Sequence, residues 1–364
     1  MTTEDWLESN RGNLDLEQSS HRFWFRTSMG LEDLVLAEIE DHFKPINVFK
    51  SHRNLFIELD AGPTDKVLNI RTADDVYDYL GYCDQIDHKK SSADRLKEHF
   101  TAHIAPYLIR HYSQKNIRIT VSFVGKRNFN RYYVENRLNE VLVASNQVGI
   151  LSNEQRDTGQ AGEIRVRIHL ENDRAYFGVG LQDTPLHRRL WRATKYTGQL
   201  HTPIAACMAR QLTPHQQALI FDPFCGSGTL LIESALLHPG IAHLGFDLSE
   251  AAILVAGQAS AMAHTRITFG KNDSLSIKPP NVDYFLLSNP PWGDKHEITS
   301  LSENFYPKLA NLIRTSLGAI LLLPEELIIN LRQETDLKFE EIAQTRIRGK
   351  LASIVKIEVV ASTQ

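Results

Sequence analysis

The stretch that most constrains the fold of this chain covers residues 221–235. An apolar run ends at Asp222, Gly226 and Gly228 then break the chain, and a helical pattern of apolar residues follows. This order predicts a strand, a glycine turn and a helix. In an open α/β sheet such a turn lies at the carboxyl edge of the strands, where ligands bind. Glycine lets the backbone approach a ligand closely and a helix N-terminus presents unpaired N–H groups, so the stretch predicts a ligand site.

Two later apolar runs point to the same edge of the sheet. The first ends in Asp247, 19 positions beyond Gly228, where the ribose hydroxyls of a bound nucleoside need an acceptor. The second, residues 282–288, leads directly into Asn289-Pro-Pro-Trp292. Because proline cannot continue a central strand, this strand must end at Ser288 or Asn289. The two prolines would then hold a polar side chain and an indole as a rigid substrate clamp.

The motif Asp222-Pro-Phe-Cys-Gly-Ser-Gly-Thr229, followed by Asn289-Pro-Pro-Trp292, resembles class I S-adenosylmethionine-dependent methyltransferases that modify exocyclic amines. The sequence from Asp222 through Glu233 is most similar to that of the RNA guanine-N2 methyltransferases that carry an N-terminal THUMP domain and act on tRNA or large-subunit rRNA. The second motif is shared with DNA adenine and protein glutamine methyltransferases. The resemblance implies S-adenosylmethionine as cofactor and RNA as partner, with tRNA preferred. It also implies an α/β fold whose class I (Rossmann-like) sheet closes with an antiparallel strand pair.

Site residues follow from the resemblance, position by position. It implies a catalytic set of Asn289, Pro290, Pro291 and Trp292. It implies a cofactor-binding set of Asp222, Pro223, Cys225, Gly226, Gly228, Thr229, Asp247, Asp273, Asn289 and Thr202.

Several of these residues have a more specific expected role. The Asn289 side-chain oxygen and the Pro290 carbonyl would accept the two N–H bonds of a guanine amine, while Trp292 stacks on the flipped base. Thr202 is also expected to be the N-cap of a helix that Pro203 begins. Asp273 is either an acceptor for the adenine amine of the donor or an exposed turn residue.

Other residues are read from their surroundings in the sequence. Asp222 is expected to accept hydrogen bonds from a ligand amine, and Cys225 to be a small packing residue and not a nucleophile. The resembled family usually has Tyr where this chain has Trp292, which leaves guanine or adenine open.

Composition narrows the class of protein. Hydrophobic residues make up 42% and charged residues 23% of the chain, as in an ordinary globular protein. The three cysteines, Cys83, Cys207 and Cys225, have neither metal-site spacing nor an even count, so neither a metal site nor a disulfide framework is predicted. No signal pattern or membrane-length apolar run is present, and we expect a soluble, cytoplasmic protein without a membrane partner.

The charge is unevenly distributed along the chain. The net charge is −4, but residues 110–200 contain 15 Lys and Arg against 8 Asp and Glu. Such asymmetry is typical of a separate nucleic-acid-binding module. A mildly basic, solvated domain is the alternative.

The coarse pattern of elements predicts four parts after a leader. Residues 1–20 are either a poorly ordered leader or a short surface helix. Strand-helix-strand-strand-helix-strand over 21–82 predicts a ferredoxin-like domain, and 83–182 resembles a THUMP RNA-binding domain. A basic linker, 183–200, precedes the methyltransferase domain at 201–364.

Cations and aromatic residues in three segments, 126–132, 188–189 and at 295, are candidates for RNA contact. Cations on a loop suit phosphates, and aromatic rings can stack on unpaired bases. The predicted RNA-binding residues are Lys126, Arg127, Phe129, Arg131, Arg188, Arg189 and Lys295, with Tyr132 beside them. The alternative is that Phe129 anchors its loop and the cations form a solvated rim.

Other functions are compatible with parts of the sequence. A protein-glutamine N5 or adenine N6 methyltransferase would share the clamp, but would not need a basic N-terminal module. An RNA-binding protein with an inactive methyltransferase domain is disfavoured by the intact Asp222, Gly226, Gly228, Asp247 and Asn289. The fingerprint of a nicotinamide dehydrogenase contains a third glycine, and the clamp would have no role in such an enzyme. The RNA, the nucleotide, the number of methyl groups and the oligomeric state stay open.

Overall fold

A computed structural model describes residues 21–60, 64–151, 162–192, 194, 196–274, 276–292 and 305–360. Contacts divide the chain into two compact units. The first unit holds the described residues of 21–26, 39–70 and 74–186. The second holds those of 27–38, 71–73 and 187–360.

The first unit is built on an eight-stranded sheet with the order β2-β3-β1-β4-β8-β7-β5-β6. Neighbouring strands are antiparallel except for β5, which runs parallel to both β7 and β6. The strands are β1 (His21–Arg26), β2 (Pro45–Ser51), β3 (Asn54–Leu59), β4 (Asp75–Asp84), β5 (Asn116–Phe123), β6 (Gly149–Ile150), β7 (Glu163–Glu171) and β8 (Arg174–Gly180).

The first four strands have the ferredoxin-like arrangement. Their order is β2-β3-β1-β4, with every neighbouring pair antiparallel, and helix α1 (Glu32–His42) joins β1 to β2. The second helix predicted here is instead a short 3₁₀ helix, Thr64–Asn69. Because β4 also pairs with β8, one continuous sheet spans residue 82, and the boundary between the two N-terminal domains stays a prediction.

The helical stretch from Ser92 to His111 is not one regular α-helix. It comprises α2 (Ser92–His99), a π-helical turn (Phe100–Ile104) and α3 (Ala105–His111). Pro106 lies in the first turn of α3, and because proline has no N–H to donate four residues back, the regular hydrogen-bond ladder cannot pass through it.

Helix α4 (Arg131–Val143) includes Arg131 and Tyr132 of the candidate RNA-binding residues in its first turn. The side chain of Asn130 accepts a hydrogen bond from the backbone N–H of Tyr133 and caps the helix. The predicted loop therefore ends at Asn130. Apolar side chains of α2 to α4, such as Leu96 and Leu138, pack on Ile168 and its neighbours on one face of the sheet and form the core.

The second unit is built on a seven-stranded sheet with the order β11-β10-β9-β12-β13-β15-β14. All neighbouring pairs are parallel except those that β15 makes with β13 and β14. The strands are β9 (Leu219–Asp222), β10 (Ala242–Asp247), β11 (Thr268–Lys271), β12 (Tyr284–Ser288), β13 (Ala319–Leu323), β14 (Leu337–Ile347) and β15 (Lys350–Val359). This is the predicted class I sheet with its closing antiparallel pair, and the prediction is confirmed.

Helices cover both faces of this sheet. Alternate residues of β13 enter two different cores, Leu321 beside residues of α8 and α9, and Leu322 beside residues of α5 and α6. The helices are α5 (Thr202–Ala209), α6 (Thr229–Leu237), α7 (Glu250–Met262), α8 (Phe305–Arg314) and α9 (Glu325–Leu331). None of the helices in the described parts of either unit is long and apolar enough to cross a membrane.

The stretch predicted as a basic linker is largely packed within the second unit. Trp191 is buried against Ile232 and Ala259, and the Arg189 guanidinium lies 2.9 Å from the Glu233 carboxylate. Trp191 and Arg189 therefore contribute to the packing of the second unit, whereas Arg188 and Leu190 are exposed, and the bounds of the linker stay a prediction.

Candidate functional site

The glycine turn after β9 has a left-handed backbone, which glycine adopts without strain. Gly226 and Gly228 have positive φ angles of 51° and 75°. A Cβ atom on Gly228 would lie 2.9 Å from Phe269 and 3.0 Å from Ala256. Only glycine therefore fits at position 228, and α6 begins directly after it.

Asp247, at the end of β10, holds this turn in place. One carboxylate oxygen accepts the backbone N–H of Gly226 at 2.9 Å, and the other accepts that of Ser249 at 2.8 Å. The acid predicted to bind a nucleoside thus also joins the glycine turn to the start of α7. A carboxylate has about four acceptor sites, so two backbone contacts leave capacity for hydroxyl groups.

Asp222 lies at the end of β9, as predicted, and is a buried acceptor within the protein. Its side chain is buried, with 1% exposed, and one oxygen accepts bonds from Ser288 Oγ at 2.6 Å and from the backbone N–H of Phe224 at 3.0 Å. Burial raises the pKa of Asp222 to about 7, and the charge of Asp247 adds to this, whereas the two hydrogen bonds oppose it. Asp222 therefore joins the ends of β9 and β12 through one carboxylate oxygen, and its expected role as acceptor for a ligand amine stays a prediction.

The clamp follows β12 as expected. The side-chain oxygen of Asn289 is buried and accepts no hydrogen bond from the residues that the structure describes. The Trp292 indole N–H donates to the backbone oxygen of Leu322 at 3.1 Å. The indole is therefore fixed on β13, while Asn289 presents an unused acceptor.

A cavity of about 790 Å³ lies at this edge of the sheet, entirely within the second unit. Seven of the predicted site residues line it: Pro223, Asp247, Asp273, Asn289, Pro290, Pro291 and Trp292. The cavity brings the end of β10 and the clamp together, although Asp247 and the nearest clamp residue, Asn289, are 42 positions apart in the chain.

Six of the predicted catalytic and cofactor-binding residues do not line the cavity. Asp222, Cys225, Gly226, Gly228 and Thr229 form the turn behind it, and burial raises the pKa of the Cys225 thiol. Thr202 is wholly buried, and its hydroxyl donates to the His187 carbonyl at 2.7 Å. His201, not Thr202, is the N-cap of α5.

The structure adds residues that the sequence reasoning missed. The cavity is also lined by Phe224, Leu248, Gln199, Arg348 and Lys350. Leu248 is 69% exposed although apolar. Its position directly after Asp247 indicates that it lies beside the ligand site. Arg348 and Lys350 lie at the turn between β14 and β15, and no local pattern connects that turn to a glycine loop more than a hundred residues earlier.

Two of the loop residues predicted to contact RNA are internal. Phe129 is 7% exposed and packs in the core of the first unit, so it anchors the loop and does not stack on a base. Arg127 donates to the backbone oxygens of Ile86, Asp87 and Asn172 at 2.7–2.8 Å.

The remaining RNA candidates lie in different environments. Lys126, Arg131 and Tyr132 are exposed, with the Arg131 guanidinium 4.7 Å from the centre of the Tyr132 ring. Arg188 is exposed, whereas Arg189 is paired with Glu233. Lys295 lies outside the described residues.

No metal site is evident in the described ranges, which contain no group of three His, Cys, Asp or Glu residues placed to bind an ion. The cavity carries carboxylates, an amide and aromatic walls, a lining suited to an organic ligand.

Comparison with known proteins agrees with this geometry. Residues 189–328 match the family model described as RMKL-like, methyltransferase domain. The chain is 28% identical over 166 residues to the U6 snRNA (guanine-N(2))-methyltransferase THUMPD2 of Mus musculus, covering 45% of this chain and 31% of that protein. It is 30% identical over 182 residues to a tRNA (guanine(6)-N2)-methyltransferase of Thermus thermophilus, covering 49% of this chain and 52% of that protein. The chain thus spans about half or less of these relatives.

Among solved structures, TrmN from Thermus thermophilus has the same fold. It aligns with a TM-score of 0.73 at 22% identity and covers 93% of this chain and 99% of that one. The likeness extends to the N-terminal part, which the family model does not cover.

Proposed function

We propose that this protein is an RNA methyltransferase that transfers a methyl group from S-adenosylmethionine to the exocyclic N2 amine of a guanosine. The observation that carries this proposal is the buried, unpaired side-chain oxygen of Asn289 at the edge of the cavity. A buried acceptor without a donor costs about 1–3 kcal/mol, and a substrate amine would satisfy it. The match of residues 189–328 to a methyltransferase family supports the proposal.

The cavity fits the methyl donor. Its volume of about 790 Å³ lies within the range of roughly 300–1,000 Å³ that small-molecule sites have. Asp247 would bind the ribose hydroxyls and Asp273 the adenine amine, while Phe224 and Leu248 offer apolar surface to the base. When bound, S-adenosylmethionine supplies an electrophilic methyl group on a positively charged sulfur.

The clamp would orient the substrate amine. Asn289 Oδ1 and the Pro290 carbonyl would each accept one N–H, which leaves the nitrogen lone pair directed into the cavity. Because Trp292 is held by its bond to Leu322, its ring face has a fixed direction in which to stack on a flipped base. No strong general base is required, because the substrate nitrogen becomes acidic once methyl transfer has begun and its extra proton can then pass to water. Most of the rate would come from positioning and from binding developing charge.

The proposal also names the class of RNA that is methylated. The mouse relative is named for U6 snRNA and the Thermus relative for tRNA; we propose tRNA before rRNA of the 23S type. Arg348 and Lys350 line the cavity and would contact phosphates next to the target nucleotide. Lys126, Arg131 and Arg188 are further exposed cations that we propose as contacts to the RNA backbone.

The test is to incubate the purified protein with tritiated S-adenosylmethionine and either total unmodified tRNA or deproteinised large-subunit rRNA. Labelled nucleosides are then identified by chromatography. Label in N2-methylguanosine from the tRNA pool is the expected result, and label from the rRNA pool alone would move the substrate to rRNA. Label in N6-methyladenosine would overturn the choice of guanine.

Two further outcomes separate the alternatives. Donor binding without label in either RNA pool would favour a protein substrate for the same clamp. Absence of donor binding would overturn the enzyme proposal and leave an RNA-binding protein with an inactive domain.

A further inference from the structure

Two arginines on the sheet of the first unit lack an acidic partner. Arg26 ends β1 and Arg167 lies in the middle of β7. Within the described residues, neither guanidinium lies within ion-pair distance of a carboxylate, whereas Arg165, two positions before Arg167, pairs with Asp75 at 2.5 Å. Half-buried cations without acids are unusual, because burial of an unpaired charge is costly.

Neutral groups hold the two arginines in place. Arg26 Nη1 donates to Asn54 Oδ1 at 2.5 Å, and the same oxygen accepts the Trp24 indole N–H at 2.9 Å. Arg167 Nη2 donates to Ser122 Oγ at 2.9 Å. A guanidinium has five N–H donors, and each arginine uses one of them on a described side chain. The Nε of Arg167 is buried and unpaired.

The surroundings confirm that this region is electropositive. Burial, together with the neighbouring charge of Arg167, lowers the pKa of Arg26 to about 10, although Tyr77 and Asp74 act in the opposite direction. His169, on β7, lies beside the two arginines. Burial and the charges of Arg26 and Arg167 lower the pKa of His169 to about 2. His169 is therefore neutral, and His52 and Arg53 lie exposed at the margin and contribute to the same potential.

Two acids adjoin the cluster but engage other groups. Glu171 lies 3.5 Å from the Asn54 amide nitrogen and 3.8 Å from His169 Nε2. Asp74 lies 3.8 Å from the Arg53 guanidinium. The remaining donors of Arg26 and Arg167 thus have no carboxylate within ion-pair distance among the described residues and are available to an external anion.

We propose that Arg26 and Arg167 form a phosphate-binding site of the first unit and that its occupant is a backbone phosphate of the RNA substrate. The choice of RNA rests on the function proposed above. Planar guanidinium forks match phosphate oxygens in geometry and charge. The site lies on strands, so its donors are held more rigidly than those of the loop at residues 125–130.

The test measures binding of total tRNA to the full-length chain by filter retention over a series of KCl concentrations. The variants are Arg167→Gln and Arg26→Gln, and Arg167→Lys keeps the charge. We expect each Gln variant to weaken binding about tenfold at low salt and to lower the slope of log Kd against log salt concentration by about 0.7–0.9, since one phosphate contact is lost. Arg167→Lys should keep the original slope.

The matched control is Arg174→Gln on β8, because Arg174 already pairs with Asp84 at 3.2 Å. It should leave the salt slope unchanged. Melting temperature and donor binding are measured for every variant, and Arg167→Gln decides the result if Arg26→Gln does not fold. An unchanged slope in a folded Arg167→Gln protein would overturn the proposal.

A second arm distinguishes RNA from free phosphate. The melting temperature is compared in inorganic phosphate and in chloride at equal ionic strength. Stabilisation by phosphate that Arg167→Gln abolishes, together with an unchanged slope for RNA, would show a site for free phosphate and overturn the assignment to RNA.

The methylation assay separates this proposal from the proposed function. Normal methylation with an unaffected salt slope would leave the enzyme proposal standing and remove the phosphate site. RNA binding that depends on Arg167 in a protein without methyl transfer would support the phosphate site and remove the proposed activity.

Discussion

Ser288 donates a 2.6 Å hydrogen bond to the buried carboxylate of Asp222. The two residues end neighbouring parallel strands, β12 and β9, and are 66 positions apart in the chain. This bond sets the glycine turn, which follows Asp222, beside the clamp, which follows Ser288. The walls of the cavity are therefore held together by one buried contact between strand ends.

The raised pKa of Asp222 predicts a specific pH dependence of stability. Its pKa is about 7 in the folded protein and about 3.9 in an unfolded chain. Between these values the folded protein binds the extra proton, so raising the pH lowers the free energy of unfolding, by about 2 kcal/mol from pH 5.5 to 7. Above the folded pKa this contribution no longer changes.

Asp222→Asn should remove this dependence, because the amide oxygen can still accept both hydrogen bonds and does not titrate. Urea unfolding at pH 5.5 and 7 measures the difference. Asp283→Asn, an exposed acid just before β12, is the control and should behave like the parent protein. A parallel decline in all three proteins would contradict the assignment.

Asn289→Ala should abolish most methyl transfer while leaving donor binding measurable. Removal of an acceptor that orients the reacting amine should lower kcat by roughly 10²–10³. Single-turnover methylation and calorimetric titration of the donor measure the two effects. Asn281→Ala, an exposed site before the same strand, serves as the control; normal turnover by Asn289→Ala would mean that the clamp is wrongly assigned.

Gly228→Ala should destabilise the protein through both backbone strain and a clash. The φ of 75° costs an alanine about 1 kcal/mol, and its Cβ would press on Phe269 and Ala256. Gly240→Ala has a similar φ of 93° but no atom within 4 Å of the added Cβ. We expect Gly228→Ala to lower the free energy of unfolding by about 1 kcal/mol or more beyond Gly240→Ala; equal losses in denaturant titrations would remove the clash from the explanation.

Glu233→Gln should be strongly destabilising. The carboxylate is fully buried and lies 2.7 Å from the Arg71 guanidinium and 2.9 Å from that of Arg189. Its neutralisation leaves two cations uncompensated, with an expected loss of about 3 kcal/mol.

The control for Glu233 is Glu250→Gln, which breaks an exposed ion pair with Lys271 and should cost less than about 1 kcal/mol. Thermal or urea unfolding compares the two variants. Similar small losses would show that the Glu233 pairs contribute little.

Local patterns predicted most elements of the second unit well. β10 ends at Asp247 and β12 ends at Ser288, where the sequence places these strand ends. Burial on both faces makes such strands continuously apolar, and proline or glycine marks their ends, so both signals are local.

Predictions failed where a side chain meets a distant partner. Phe129 and Arg127 look like a solvated, RNA-binding loop, yet one is in the core and the other binds carbonyls as far away as Asn172. No local pattern marks Arg26 and Arg167, because they lie on β1 and β7, which two other strands separate in the sheet.

The sequence by itself determined the class I sheet, the glycine turn with Asp247, and the clamp at Asn289, because glycine, proline and apolar periodicity act on adjacent residues. Only the tertiary structure decided that Asp222 is buried beneath the site, that Arg348 and Lys350 line the cavity, and that Arg26 and Arg167 lack acidic partners. Hydrogen-bond and charge partners are set by strand order and register, which bring together residues that no local pattern connects.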